Sequence, residues 1–182
     1  YATGTSTRKV AKVAAAMGIE RLSKDQVSAM ASSLDADAEE LLGRDLPGLR
    51  MPYIWLDATY VKCRTGSHVA SVAVVTAIGC DEDGWRRVLG LDVVDTESYD
   101  SWLGFLQGLR ARGVHGVELV TSDAHTGLKR AISEVFQGAA WQRCVVHLIR
   151  SCAREAGRGS LARRVARIVA PAFRAKDAGT VR

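Results

Sequence analysis

Apolar and polar positions change their rhythm once along this chain, near residue 50. Before it, apolar residues recur at helical spacing: Val10, Val13 and Met17 in "TRKVAKVAAAMG", then Val27, Met30 and Leu34 in "IERLSKDQVSAMASSLDADAEELL". Ser6 and Ser23 stand where N-caps belong, and Gly18 falls where the first helix should end. Two short helices with a tight junction predict a helix-turn-helix-like segment over residues 1–46, a pattern that any helical hairpin would share. The prolines and glycines of "GRDLPGLRMP" mark a boundary, with a linker at 47–52.

Beyond the boundary the apolar residues crowd into short runs. "YIWLDATYVKC" (53–63), "HVASVAVVTAIG" (68–79) and "WRRVLGLDVVD" (85–95) read as strands, separated by the turns "RTGS" and "DEDG". Turns this short imply an antiparallel meander. Ser98 is placed to cap a helix running to Arg112, with Trp102, Phe105, Leu106 and Leu109 inward and Gly113 closing it. "GVELVTSD" (116–123) predicts a fourth strand, followed by a helix from about Ala124 to Phe136 with Leu128, Ile132, Val135 and Phe136 inward. "AAWQRCVVH" (139–147) predicts a fifth strand, and from Leu148 the chain turns helical and rich in Arg and Ala. The order βββ–α–β–α–β–α describes an α/β core over 53–182 whose later strands run parallel to the first and whose crossover helices cover the sheet faces. It is the order of ribonuclease H-like folds, and by itself it fixes no activity.

Asp57 interrupts the first strand between apolar and aromatic neighbours, where a carboxylate costs free energy unless something pairs with it. A buried Arg or Lys could be that partner, and so could a metal ion. In this order the first strand lies beside the fourth, which brings Asp57 close to Asp123 at the fourth strand's C-terminal end. Two close carboxylates repel unless a cation lies between them. Mg²⁺ suits that place because it takes oxygen ligands and keeps positions open for water and phosphate. Asp123 taken alone reads first as the N-cap of the helix that follows, a role that does not exclude a ligand. Cys144 and His147 form C-x-x-H at the end of strand five, with no second pair at zinc-ligand spacing. The bland account is a buried Cys and a hydrogen-bonded His; the alternative is a His that reaches the Asp123 edge and supports the site. His125, two residues after Asp123, is either a helix-start residue facing water or a further support.

Composition narrows the field. The chain has 182 residues, 47% hydrophobic and 25% charged, as a soluble globular domain with a small appendage would. No apolar run approaches the roughly 18–20 residues that span a bilayer, so no membrane partner is expected. Four cysteines without a C-x-x-C pair read as reduced thiols, pointing to a cytoplasmic setting. The net charge of +5 is uneven: residues 141–182 carry ten basic and two acidic residues, while residues 51–140 carry eight and eleven. That tail is either a solvated helix surface or a face for phosphate.

Four segments, "YIWLDATYVKCR", "GLDVVDTESYDSWLGFLQGLRARGV", "LVTSDAHTGLKRAI" and "GAAWQRCVVHLIR", together resemble the mutator-type transposases of bacterial insertion sequences. The resemblance runs from about Ser6 to about Arg154. It implies a ribonuclease H-like DDE transposase that cleaves and joins DNA at terminal inverted repeats, with Asp57 and Asp123 as the first two catalytic carboxylates and ligands of two Mg²⁺ ions, Mn²⁺ being the alternative. It matches Cys144 and His147 to the family's C-x-x-H, and the N-terminal helices to a DNA-binding region. It further implies DNA and target DNA as partners, contacted by Arg143, Arg150 and Arg154, assembly of several copies on paired ends, and a place at the bacterial nucleoid. The family's catalytic Glu stands in a segment like "NPLERLNKEIKRR", and nothing similar precedes Arg182. Glu134 and Glu155 are poor substitutes, because the resemblance puts the Glu elsewhere. The chain is therefore expected to be the front portion of a transposase. The alternative is a non-catalytic truncated protein that binds element ends, and a weaker third reading is a different ribonuclease H-like nuclease.

Overall fold

The computed structural model describes residues 23–46, 48, 50–65 and 68–174, and the chain divides into two compact units, residues 1–45 and 46–182. In the first unit, helix α1 spans Lys24–Gly43. Ser23 caps it with a reciprocal box: its Oγ accepts from the Gln26 amide at 3.1 Å, and Gln26 Oε1 accepts from the Ser23 amide at 2.9 Å. The expected helix from Ser6 to Gly18 lies outside the described residues.

The second unit is built on five strands: β1 Tyr53–Thr65, β2 His68–Cys80, β3 Arg86–Val94, β4 Leu119–Ser122 and β5 Ala140–Arg143. They lie in the order β3-β2-β1-β4-β5, antiparallel across the first three and parallel from β1 outward through β4 to β5. This mixed sheet, with a three-strand meander feeding two β–α units, is the ribonuclease H-like arrangement that the element order predicted.

Helix α2 (Tyr99–Ala111) joins β3 to β4, and α3 (Thr126–Val135) joins β4 to β5. Both crossovers step the same way across the sheet, and right-handed connections made in one direction deposit their helices on one face. Trp102, Phe105, Leu106 and Leu109 of α2 and Leu128, Ile132 and Val135 of α3 accordingly share one core with Ile54, Leu56, Val75, Ala77, Leu89 and Val120 of the strands. A register shift at Ala77/Ile78 leaves Leu89 as an extra residue in β3, so Leu89 and Gly90 both turn to the core. Gly127 lets α3 approach α2 closely: a Cβ there would lie 2.9 Å from the Tyr99 amide nitrogen.

The helices thus cover one face of the sheet, and the expectation that both would be covered does not hold for α2 and α3. Odd-numbered positions of β1, among them Tyr53, Trp55 and Asp57, point to the other face and are exposed, together with Ile78, Val88, Leu91 and Val93 of the neighbouring strands. Two boundaries also differ from expectation. β4 starts at Leu119 rather than residue 116, and β5 stops at Arg143, so that helix α4 occupies Val145–Glu155. The strand-like look of "CVVH" reflects β-branched Val145 and Val146, whose preference is overridden once Cys144 takes the N-cap place of α4. A further helix, α5, spans Ser160–Val169 and runs into a 3₁₀ turn at Ala170–Phe173. Among the described residues, no helix is long and apolar enough to cross a membrane.

Candidate active site

The parallel ladder between β1 and β4 pairs Tyr53 with Leu119, Ile54 with Val120 and Trp55 with Thr121. Carried two residues further, the same register sets Asp57 opposite Asp123. Strand order alone therefore directs the two carboxylates to neighbouring places at the end of β4. Asp57 differs from expectation in one respect. Its side chain is 57% exposed, because strand alternation turns it to the face that α2 and α3 leave open. The desolvation cost that its apolar sequence neighbours implied is therefore absent, and among the described residues no buried Arg or Lys pairs with it. The apolar residues on either side, Leu56 and Ala58, point the opposite way.

Asp123 follows β4 directly. Its Oδ1 accepts from the Ala124 amide at 2.7 Å, and among the described residues no other group engages the carboxylate. It is not the cap of α3. His125 holds that position, its Nδ1 accepting from the Leu128 amide at 3.3 Å, which commits the ring to carrying its proton on Nε2. The segment ahead of Asp123 is fixed from beneath. Ser122 is wholly buried, its Oγ donating to the Asp123 carbonyl at 2.9 Å and accepting from Trp141 Nε1 at 2.9 Å. The Lys129 ammonium lies 4.4 Å from the Trp141 ring centroid. Ser122 and Trp141 escape the sequence reading because neither carries a pattern beyond strand alternation. For Ser122 the "TSD" order is the one signal.

Cys144 and His147 come to this edge, but on a helix. The Cys144 amide donates to the Ser122 carbonyl at 2.7 Å, which fastens the start of α4 beside Asp123. His147, in the first turn of α4, points Nε2 at Asp57 Oδ1 from 3.8 Å. That is an ion-pair distance for a protonated ring and too long for a hydrogen bond. Its Nδ1 is buried and, among the described residues, has no hydrogen-bond partner. Arg143 is half-buried and donates from Nη2 to Ser151 at 2.9 Å, so it ties β5 to α4. Arg150 and Arg154 are exposed one helical turn apart on α4. Glu134 lies on α3, accepting from the Tyr99 hydroxyl at 2.5 Å, and Glu155 ends α4 in solvent.

The donor set fits a hard divalent cation in kind: two carboxylates on adjacent parallel strands, both exposed, neither engaged by a Lys or Arg among the described residues. It is short in number. Among the described residues no three His, Cys, Asp or Glu side chains gather closely enough to hold a metal.

The sequence profile described as "Transposase, Mutator family" matches residues 1–182. The transposase for insertion sequence element IS1081 of Mycobacterium tuberculosis is 41% identical over 147 residues, covering 81% of this chain and 35% of that protein. The transposase for IS256 in transposon Tn4001 of Staphylococcus aureus is 38% identical over 151 residues, covering 83% of this chain and 39% of its own length. The chain spans only about two-fifths of the curated relatives it matches. Among solved structures, the Drosophila P element transposase strand transfer complex aligns with 84% of this chain and 41% of its own, at 14% identity and a TM-score of 0.47. By its profile and its relatives, this chain belongs to the mutator family of transposases.

Proposed function

We propose that this chain carries two of the carboxylates with which an insertion-sequence transposase cleaves and joins DNA at terminal inverted repeats. The observation that supports it most is the β1–β4 register, which directs Asp57 and Asp123 to the same edge, exposed and, among the described residues, without a Lys or Arg to neutralise them. Asp57 and Asp123 would hold Mg²⁺. When bound, the metal would lower the pKa of an attacking water or 3′-hydroxyl and stabilise the leaving oxygen of the phosphodiester. The chain's own residues keep the carboxylates in place. The Ala124 amide fixes the Asp123 rotamer, Ser122 and Trp141 hold the strand end, and His147 stands beside Asp57 where a protonated ring would steady its charge. The complete ligand set requires a third acidic side chain that the described residues do not bring to this edge, and we assign it to a glutamate outside this sequence. Residues 1–46 would serve as the DNA-binding segment, and the arginines of α4 and α5 would follow the phosphate backbone.

In a protein of the relatives' full length, Asp57→Asn should lower strand transfer on inverted-repeat DNA by about 10³-fold or more, as loss of one member of a catalytic unit does. Its binding to the same DNA should be unchanged. Retained transposition by that variant overturns the reading. DNA binding without Mg²⁺-dependent cleavage by the full-length wild type supports a non-catalytic end-binding protein instead.

A further inference from the structure

Trp55 lies two residues before Asp57 on the same exposed side of β1. The residue is 36% exposed although the Arg86 guanidinium stands 5.3 Å from its ring centroid. Its ladder partners are Thr121 of β4, two residues before Asp123, and Ile78 of β2. Trp55 therefore flanks both carboxylates, about 6.6 Å up the strand, close to two steps of about 3.4 Å along one DNA strand. Farther along the same end, the β2–β3 turn presents Trp85, 70% exposed, next to Arg86.

An exposed indole covered on one side by an arginine is an aromatic platform next to a cation. Such pairs bind unpaired bases, because every base offers a π-face and the arginine adds charge for the phosphate. Bases inside a duplex are stacked on one another and cannot reach a side chain at the sheet surface, so the base must be unpaired or extruded. Resting on the reading that Asp57 and Asp123 act on DNA, we propose that Trp55 and Arg86 form a stacking subsite for the unpaired base of a nucleotide flanking the scissile phosphodiester. Trp55 is then a positioning residue. It sets the phosphate's approach to the carboxylates without entering the chemistry.

The test measures binding of a protein of the relatives' full length to a short duplex with an unpaired tail of a few nucleotides, carrying 2-aminopurine at one tail position, and to the same duplex with blunt ends. The wild type should quench the 2-aminopurine and prefer the tailed DNA. Trp55→Ala should lose about 5- to 100-fold on tailed DNA and nothing on blunt DNA, and Trp55→Phe should restore most of the loss. Removing the tail base to leave an abasic site should cost the wild type the same factor and Trp55→Ala nothing further. Because Trp55 is exposed, matched thermal melts of the three proteins should accompany these values. Tailed-DNA binding indifferent to both Trp55 and the tail base overturns the stacking subsite and leaves the DNA-acting reading standing. A wild type that binds neither DNA overturns both.

Discussion

Asp57 is an outlier of pattern rather than of burial. In "YIWLDATYV" its neighbours are apolar because they serve two faces, and only the even-numbered ones, Ile54 and Leu56, enter the core. A strand that alternates between a packed face and an open one can carry a carboxylate at no great desolvation cost. Its presence among apolar residues was legible in the sequence; its exposure was not, because that depends on which face the crossover helices cover. Tyr99 shows a second effect of the residue scale. Its hydroxyl donates to Glu134, and this bond raises the phenol's pKa above its ordinary value, while Arg130 stacks 4.2 Å from the ring centroid. A raised pKa in the folded state means that the bond's contribution is present in full below the free phenol's pKa of about 10 and is lost as pH rises through the raised value. Tyr99→Phe keeps the Arg130 stack and removes the bond. Its melting temperature should fall below wild type at neutral pH, and the gap should close in strongly alkaline buffer; a gap that holds there contradicts this.

At the scale of elements, helix α2 was legible to within one residue at its end: Ser98 caps it, and its four inward side chains are those its periodicity marked. The C-x-x-H segment was not. Val145 and Val146 look like strand, but the β5 ladder ends at Arg143, and the Cys144 amide bonds back to Ser122. Tertiary hydrogen bonding decides a short apolar run that local preference leaves open. His147 thus arrives above the sheet edge on a helical turn and reaches Asp57. The α2–α3 contact gives a direct check of packing. Gly127→Ala would place a Cβ against the Tyr99 backbone, where no side-chain rotation relieves the clash. It should destabilise by about 1–3 kcal/mol despite Ala being the better helix former, seen as a lower denaturant midpoint with unchanged slope. An equal or higher midpoint would show that α3 can shift away from α2.

For the whole molecule, one topological fact organises the site. The strand order β3-β2-β1-β4-β5 brings the fifth residue of the core's first strand beside the residue that follows its fourth, 66 positions later in the sequence. The same order sends both crossover helices to one face and leaves the carboxylates, Trp55 and the start of α4 on the other. The pairing was legible because element order determines it. A third acidic side chain was not legible in the same way, because among the described residues none joins these two at the edge. In the proposed function Asp57 and Asp123 act as one unit on one reaction. Strand transfer by full-length protein carrying Asp57→Asn, Asp123→Asn and both substitutions tests it most directly. Each single variant should be nearly as inactive as the double, since either loss breaks the same site. Single losses that multiply in the double variant, or one variant that stays active, would contradict it.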